Sequence, residues 1–204
     1  MRSGPSMSNV ATIAATDSEL VVRARSGSDT AYRELLARYQ RPVFSLVYRM
    51  VRNREQAEDL AQETFVKVFQ NIKRYDPKYK FSSWIFKIAN NVAIDALRRR
   101  NPVTVSLDGA AHAETAEQVE ASRIDVASED ADPSEALEAR QLGGAIEQAV
   151  GKLRPEYRTA ILLRHVEGRP YEEIAEIMDL PLGTVKTYIH RARSELRGAL
   201  AHLR

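Results

Sequence analysis

A long stretch of chain without helical or strand periodicity, residues 101–132, separates two blocks whose apolar residues recur at helical spacing. The stretch is rich in Ala, Glu, Ser and Asp and poor in large apolar side chains. Such a composition buries too little surface to offset the entropy of ordering. A structureless segment of that length is also uncommon inside one compact domain. These features predict an all-α protein with two small helical domains, residues 17–100 and 133–204. A flexible acidic linker over 101–132 joins them, and a flexible tail covers 1–16. A chain of 204 residues has room for two such domains.

Charge is partitioned along the same boundaries. The net charge is only +2. Within 101–132, however, Asp108, Glu114, Glu117, Glu120, Asp125, Glu129, Asp130 and Asp132 face the single base Arg123, a local charge of −7. The remainder therefore carries +9, which suits a polyanionic partner. With no cysteine, disulfides, thiolate metal sites and a thiol redox switch within this chain are excluded, and a reducing cytoplasm suits the composition. The N-terminal residues lack the apolar core and basic start of a signal peptide. No apolar run is long enough to span a bilayer.

In the first block, Asp17 is predicted to cap a short helix that ends at Arg25 before Gly27. Ser28 or Asp29 caps the next helix, in which Tyr32, Leu35, Leu36 and Tyr39 share a face. Pro42 is expected to kink or restart that helix. Asn53 opens a third helix with Ala57, Leu60, Ala61, Phe65, Val68, Phe69 and Ile72 as its apolar set. Asp76-Pro77 interrupts the pattern. Ser82 or Ser83 caps a fourth helix, ending at Arg98-Arg99-Arg100, where arginines suit the dipole.

In the second block, Gly143-Gly144 weakens a helix that begins near Pro133. Pro155 opens the next helix at a first-turn position, and Gly168 closes it. Helices over Tyr171–Met178 and Gly183–Leu200 follow, joined by Asp179-Leu180-Pro181-Leu182. Their proportions are those of a helix-turn-helix. At 100° per residue, Val185, Ile189, Ala192 and Leu196 point one way. Lys186, Thr187, His190, Arg191 and Ser194 point the other. That second face offers donors, acceptors and positive charge, as a major-groove reader requires. Arg193 and Arg197 flank it at phosphate-contacting positions. The competing reading is a solvated basic face on an amphipathic helix.

Between Lys73 and Lys87, basic residues alternate with Tyr75, Tyr79, Phe81, Trp84 and Phe86. Aromatic stacking combined with backbone-neutralising cations is how single-stranded nucleic acid is commonly held. Asn90 and Asn91 follow, with amides suited to base edges. The competing reading is a core of Trp84, Ile85 and Ile88 covered by the other aromatics.

DLAQETFVKVF (59–69), FSSWIFKIANNVAIDALRRR (81–100) and YEEIAEIMDLPLGTVKTYIHRAR (171–193) together resemble the extracytoplasmic-function (ECF) sigma factors. The resemblance covers about residues 17–100 and 133–200, the regions 2 and 4 of that family. It implies a cytoplasmic factor that binds core RNA polymerase through its β and β′ subunits and directs initiation at promoter DNA. On this resemblance, Asp59, Gln62 and Glu63 dock on the β′ clamp helices. Asn91 faces a pocket for a base flipped from the −10 strand, lined by Tyr75 and Ile88 and shaped by the loop carrying Lys78, Lys80 and Phe81. Lys186, Thr187, His190 and Arg191, with Arg193 beside them, read the −35 element. In the family the linker threads the polymerase cleft, with a soluble spacer as the competing reading of this acidic segment, and members are commonly held inactive by an anti-sigma factor. His190 departs from the residue types common at its position in the family.

No phosphate-binding glycine loop, nucleophile signature or metal-spaced histidine set accompanies these motifs, so no enzyme activity, metal or cofactor is expected. A stand-alone DNA-binding repressor or activator explains the helix-turn-helix but not the aromatic-basic stretch. A signalling enzyme lacks its catalytic residues. A purely structural helical module predicts no salt-dependent DNA affinity.

Overall fold

The structure, a computed structural model, describes residues 15–100 and 133–201, with side chains from residue 140 onward in the second segment. Its helices are α1 (Asp17–Arg25), α2 (Asp29–Val51), α3 (Arg54–Asn71) and α4 (Phe81–Arg100), followed by α5 (Pro133–Lys152), α6 (Pro155–His165), α7 (Tyr171–Met178) and α8 (Leu182–Ala199). A short 3₁₀ turn, Ile72–Arg74, follows α3. No strand occurs among the described residues, in agreement with the all-α expectation. The tail over 1–14 and the linker over 101–132 lie outside the described residues.

The helix starts follow capping chemistry, with corrections to the sequence reading. Thr16, not Asp17, caps α1: its hydroxyl accepts from Glu19 N–H, and the Glu19 carboxylate returns the bond at 2.7 Å. The Asp17 side chain is engaged instead by Arg38, at 2.9 Å, and by the Tyr39 hydroxyl. Ser28 caps α2 and Asn53 caps α3. Ser82 and Ser83 do not cap α4, because both lie buried inside its first turn. The last helix begins at Leu182 and ends at Ala199, one residue earlier at each end than its spacing suggested.

Pro42 neither kinks nor restarts its helix enough to divide it: α2 runs unbroken through it. An interior proline costs about 3 kcal/mol. Burial of Leu35, Tyr39, Val43, Leu46, Val47 and Met50 along one face of the same helix offsets that cost. Gly143-Gly144 is likewise accommodated inside α5.

Helices α1–α4 form one unit and α5–α8 a second, and the two pack against each other. A single apolar cluster includes Met50, Phe86 and Ala89 of the first unit and Leu163, Ile174 and Ile177 of the second. The junction is also polar. Arg158 of α6 is buried and donates to the carbonyls of Met50, Gly151 and Leu153, the last at 3.1 Å. The Met50 carbonyl lies in the last turn of α2, where a cation meets the negative end of the helix dipole. The Thr159 hydroxyl donates to Asn90 Oδ1 at 2.9 Å. At the α4–α7 contact, Arg169 donates to Ser82 Oγ at 3.0 Å and lies 4.8 Å from the Phe86 ring centre. Glu173 pairs with Lys80 and, at 3.3 Å, with Arg169. Lys87 pairs with Asp179 at 3.2 Å.

Replacing Arg158 with Leu strands carbonyls of both units that it now binds. Calorimetry on Arg158→Leu should show a loss of about 2–3 kcal/mol and a thermal midpoint lowered by roughly 4–12 °C. An unchanged midpoint refutes the clamp.

Candidate nucleic-acid and polymerase interfaces

The helix-turn-helix is built by α7, a tight turn and α8. Asp179 ends α7 in the left-handed region, φ 58°, with its N–H bonded to the Ala175 carbonyl. This is a conformation that Asp tolerates better than most residues. The turn lets Ile174 and Ile177 meet Val185, Ile189 and Ala192, all buried. Leu196 packs at the edge of that core. The opposite face carries Lys186, Thr187, His190, Arg191 and Ser194, with Arg193 flanking it, all exposed. The wheel read from sequence is therefore the wheel observed.

Several of these side chains are held by neighbours. Thr187 Oγ1 donates to the Gly183 carbonyl at 2.9 Å, leaving its oxygen free to accept. Arg191 Nη1 donates to the Tyr157 hydroxyl at 3.1 Å. Arg193 lies 3.2 Å from His165 Nε2. Partial burial, with Arg193 and Arg164 beside it, pushes the His165 pKa down and favours the neutral ring as acceptor.

In the first unit, the stretch from 73 to 87 divides between core and surface. Tyr75 and Phe81 are buried. Their rings pack edge-on with centres 5.6 Å apart, and Trp84 lies 5.3 Å from Tyr75. The covering role that sequence left open for Tyr75 and Phe81 is thus observed. Ile88 is half-buried beside this core, and Asn91 is exposed one turn further along α4. Asn90, grouped with Asn91 as a base-edge amide, is instead 3 % exposed and bonded to Thr159. One helical step separates a core amide from a surface amide. Lys78 and Lys80 are exposed, and Tyr79, at 53 % exposure, is the aromatic of the loop left open for stacking.

Arg25 was not singled out by sequence, yet it organises this loop. It donates to the carbonyls of Ile72 at 3.0 Å, Lys73 at 3.4 Å and Tyr75, and lies 5.7 Å from the Tyr75 ring centre. The Tyr75 hydroxyl then donates to the Tyr79 carbonyl at 2.5 Å. Burial pushes the Tyr75 phenol pKa up, keeping that donor protonated. No local pattern marks an arginine whose partners lie about 50 residues away.

On α3, Asp59, Gln62 and Glu63 share one face at helical spacing. Asp59 and Gln62 are exposed. Glu63 is half-buried and paired with Lys67 at 2.7 Å. Among the described residues no acid or histidine cluster has metal-binding form. Nor is any helix there long and apolar enough to cross a membrane.

Comparison with known proteins decides the family. The Sigma-70 region 2 model matches residues 35–103 and the Sigma-70 region 4 model matches residues 143–196. The chain is 34% identical over 186 residues to the ECF RNA polymerase sigma factor SigW of Bacillus subtilis, covering 90% of this chain and 96% of the relative. It is 34% identical over 190 residues to the RNA polymerase sigma-H factor of Pseudomonas aeruginosa, covering 92% and 95%. This chain belongs to the ECF sigma factors.

The sigma factor is a transcription initiation factor that directs RNA polymerase to promoters. Its fold matches CnrH in the complex with the cytosolic domain of CnrY, with a TM-score of 0.66, 24% identity and coverage of 91% of this chain and 97% of CnrH. It also matches the Bartonella quintana sigma factor RpoE in the complex with the anti-sigma factor NepR, with a TM-score of 0.59, 20% identity and coverage of 83% and 96%.

If Arg25 anchors the loop, Arg25→Gln should speed amide hydrogen exchange across residues 73–80 by about tenfold, equivalent to about 1.4 kcal/mol of local opening. Exchange in α6 and α8 should not change. Equal acceleration throughout the chain would make Arg25 a general stability residue.

Proposed function

We propose that the sigma factor divides its work between the two units. The exposed face of α8 reads the −35 duplex, with Lys186, Thr187, His190 and Arg191 at base edges and Arg193 toward phosphate. Asn91 receives a flipped −10 base, with Ile88 beside it and Tyr75 and Phe81 supporting the loop from beneath. Lys78 and Lys80 neutralise the strand backbone. Capture of the base offsets an unstacking cost of a few kcal/mol. Asp59, Gln62 and Glu63 meet the β′ clamp helices, and the β subunit supplies further contacts. The linker over 101–132 lies in the polymerase cleft, where its acidity complements a basic channel. The domains divide as 17–100 and 133–204. The protein acts in the cytoplasm and does no covalent chemistry.

One observation carries the −35 reading: the five polar residues of the α8 face and the flanking Arg193 are exposed while Val185, Ile189 and Ala192 are buried. An anti-sigma partner is supported by RpoE, whose solved complex contains the anti-sigma factor NepR.

Packed together, the units cannot serve both promoter elements at once. Elements 25 base pairs apart are separated by about 85 Å at 3.4 Å per pair. A compact chain of this length has a radius of gyration of about 17 Å, hence a diameter of roughly 43 Å. Engagement of both elements therefore requires α7 to leave α4. Lys80 is released by the same step, since its ammonium is paired with Glu173 in the closed form.

In transcription with core polymerase on the source organism's promoter fragments, discrete starts should require this chain and share paired upstream elements. Starts that do not depend on it defeat the reading. Asn91→Ala should impair open-complex formation while polymerase binding is retained, and normal transcription would remove the pocket assignment. Because the chain has no cysteine, Val22→Cys and Glu195→Cys can carry a dye pair. Energy transfer between them should fall when the polymerase–promoter complex forms, and a constant signal excludes opening.

A further inference from the structure

The residue on α8 with the most demanding task is Arg191. Bidentate recognition of guanine requires two guanidinium N–H groups at a fixed angle. A free arginine side chain loses rotamer freedom on being held. A second group that orients the guanidinium before DNA arrives removes part of that cost.

Tyr157 is placed to do this. It lies in the first turns of α6, behind Pro155, and not on the recognition helix. Its ring is 6 % exposed and packs against Tyr188 with centres 5.1 Å apart at 56°. The body of Tyr157 is thus fixed by packing on both helices, and its hydroxyl meets a side chain of the exposed α8 face. That oxygen accepts from Arg191 Nη1 at 3.1 Å. One of the five guanidinium N–H donors is used there, which leaves the others for DNA.

We propose that Tyr157 is a positioning residue for promoter recognition, its hydroxyl holding the Arg191 guanidinium in the orientation that reads the −35 element. This rests on the assignment of Arg191 to that element. Tyr157 touches no base itself. It acts from α6, through one hydrogen bond, on the specificity of a different helix. Tyr188 contributes by fixing the Tyr157 ring, and the Pro155 start fixes the direction of α6.

The test removes the hydroxyl and keeps the ring. Polymerase holoenzyme containing the wild-type chain, Tyr157→Phe, Arg191→Ala or the double variant selects from promoter duplexes randomised at the −35 element, and enrichment is read at each base pair. Tyr157→Phe should reduce discrimination roughly 3- to 10-fold, the size of one modest hydrogen bond, at the base pair where Arg191→Ala also loses it. In the Arg191→Ala background Tyr157→Phe should add nothing, as coupled residues require. Thermal midpoints of the single variants report any purely structural effect. Loss of affinity on every duplex alike, no loss, or sharper discrimination in Tyr157→Phe would overturn the positioning role while leaving Arg191 as a reader. If Arg191→Ala keeps full discrimination, the assignment of Arg191 fails and Tyr157 fails with it.

Discussion

The buried hydrogen bond from Thr159 to Asn90 Oδ1 lies where the two helical units meet. Asn90 is on the inner side of α4, and its neighbour Asn91 is on the outer side. The bond therefore joins the second unit to the helix that carries the proposed −10 pocket. Around it, Arg158 binds the last turn of α2 and Arg169 binds Ser82. A buried polar atom left without its partner costs about 1–3 kcal/mol. These groups therefore enforce one register between the units, which apolar contact alone does not specify.

The same chemistry makes the junction separable. In the outer pairs Lys80 and Asp179 are well exposed and Lys87 is partly so, whereas Glu173 is buried, so the Lys87–Asp179 pair contributes little net stability and is screened by salt. Interfaces between units of one chain commonly have this polar character. A purely apolar seam would bind the units more tightly and oppose the opening proposed for promoter engagement.

Charge is deployed locally. A chain of net +2 concentrates exposed cations on α8 and on the loop before α4, close to where nucleic acid is proposed to lie. Glu173 occupies Lys80 in this structure, the position proposed for a strand phosphate.

Much of this was legible in sequence. Period-3.6 patterning located the eight α-helices of the described residues, and the wheel of α8 separated its core residues from its surface residues, because both depend on neighbours three or four positions apart. Three motifs in order identified the family. Tertiary structure decided what depends on distant neighbours. It placed Asn90 inside and Asn91 outside, made Tyr75 and Phe81 core and left Tyr79 open. It also carried α2 through Pro42, whose cost is offset by a buried face. Arg25 and Tyr157 reach loops and helices about 50 and 34 residues away. No local periodicity encodes such partners, since only the folded chain brings them within hydrogen-bond range.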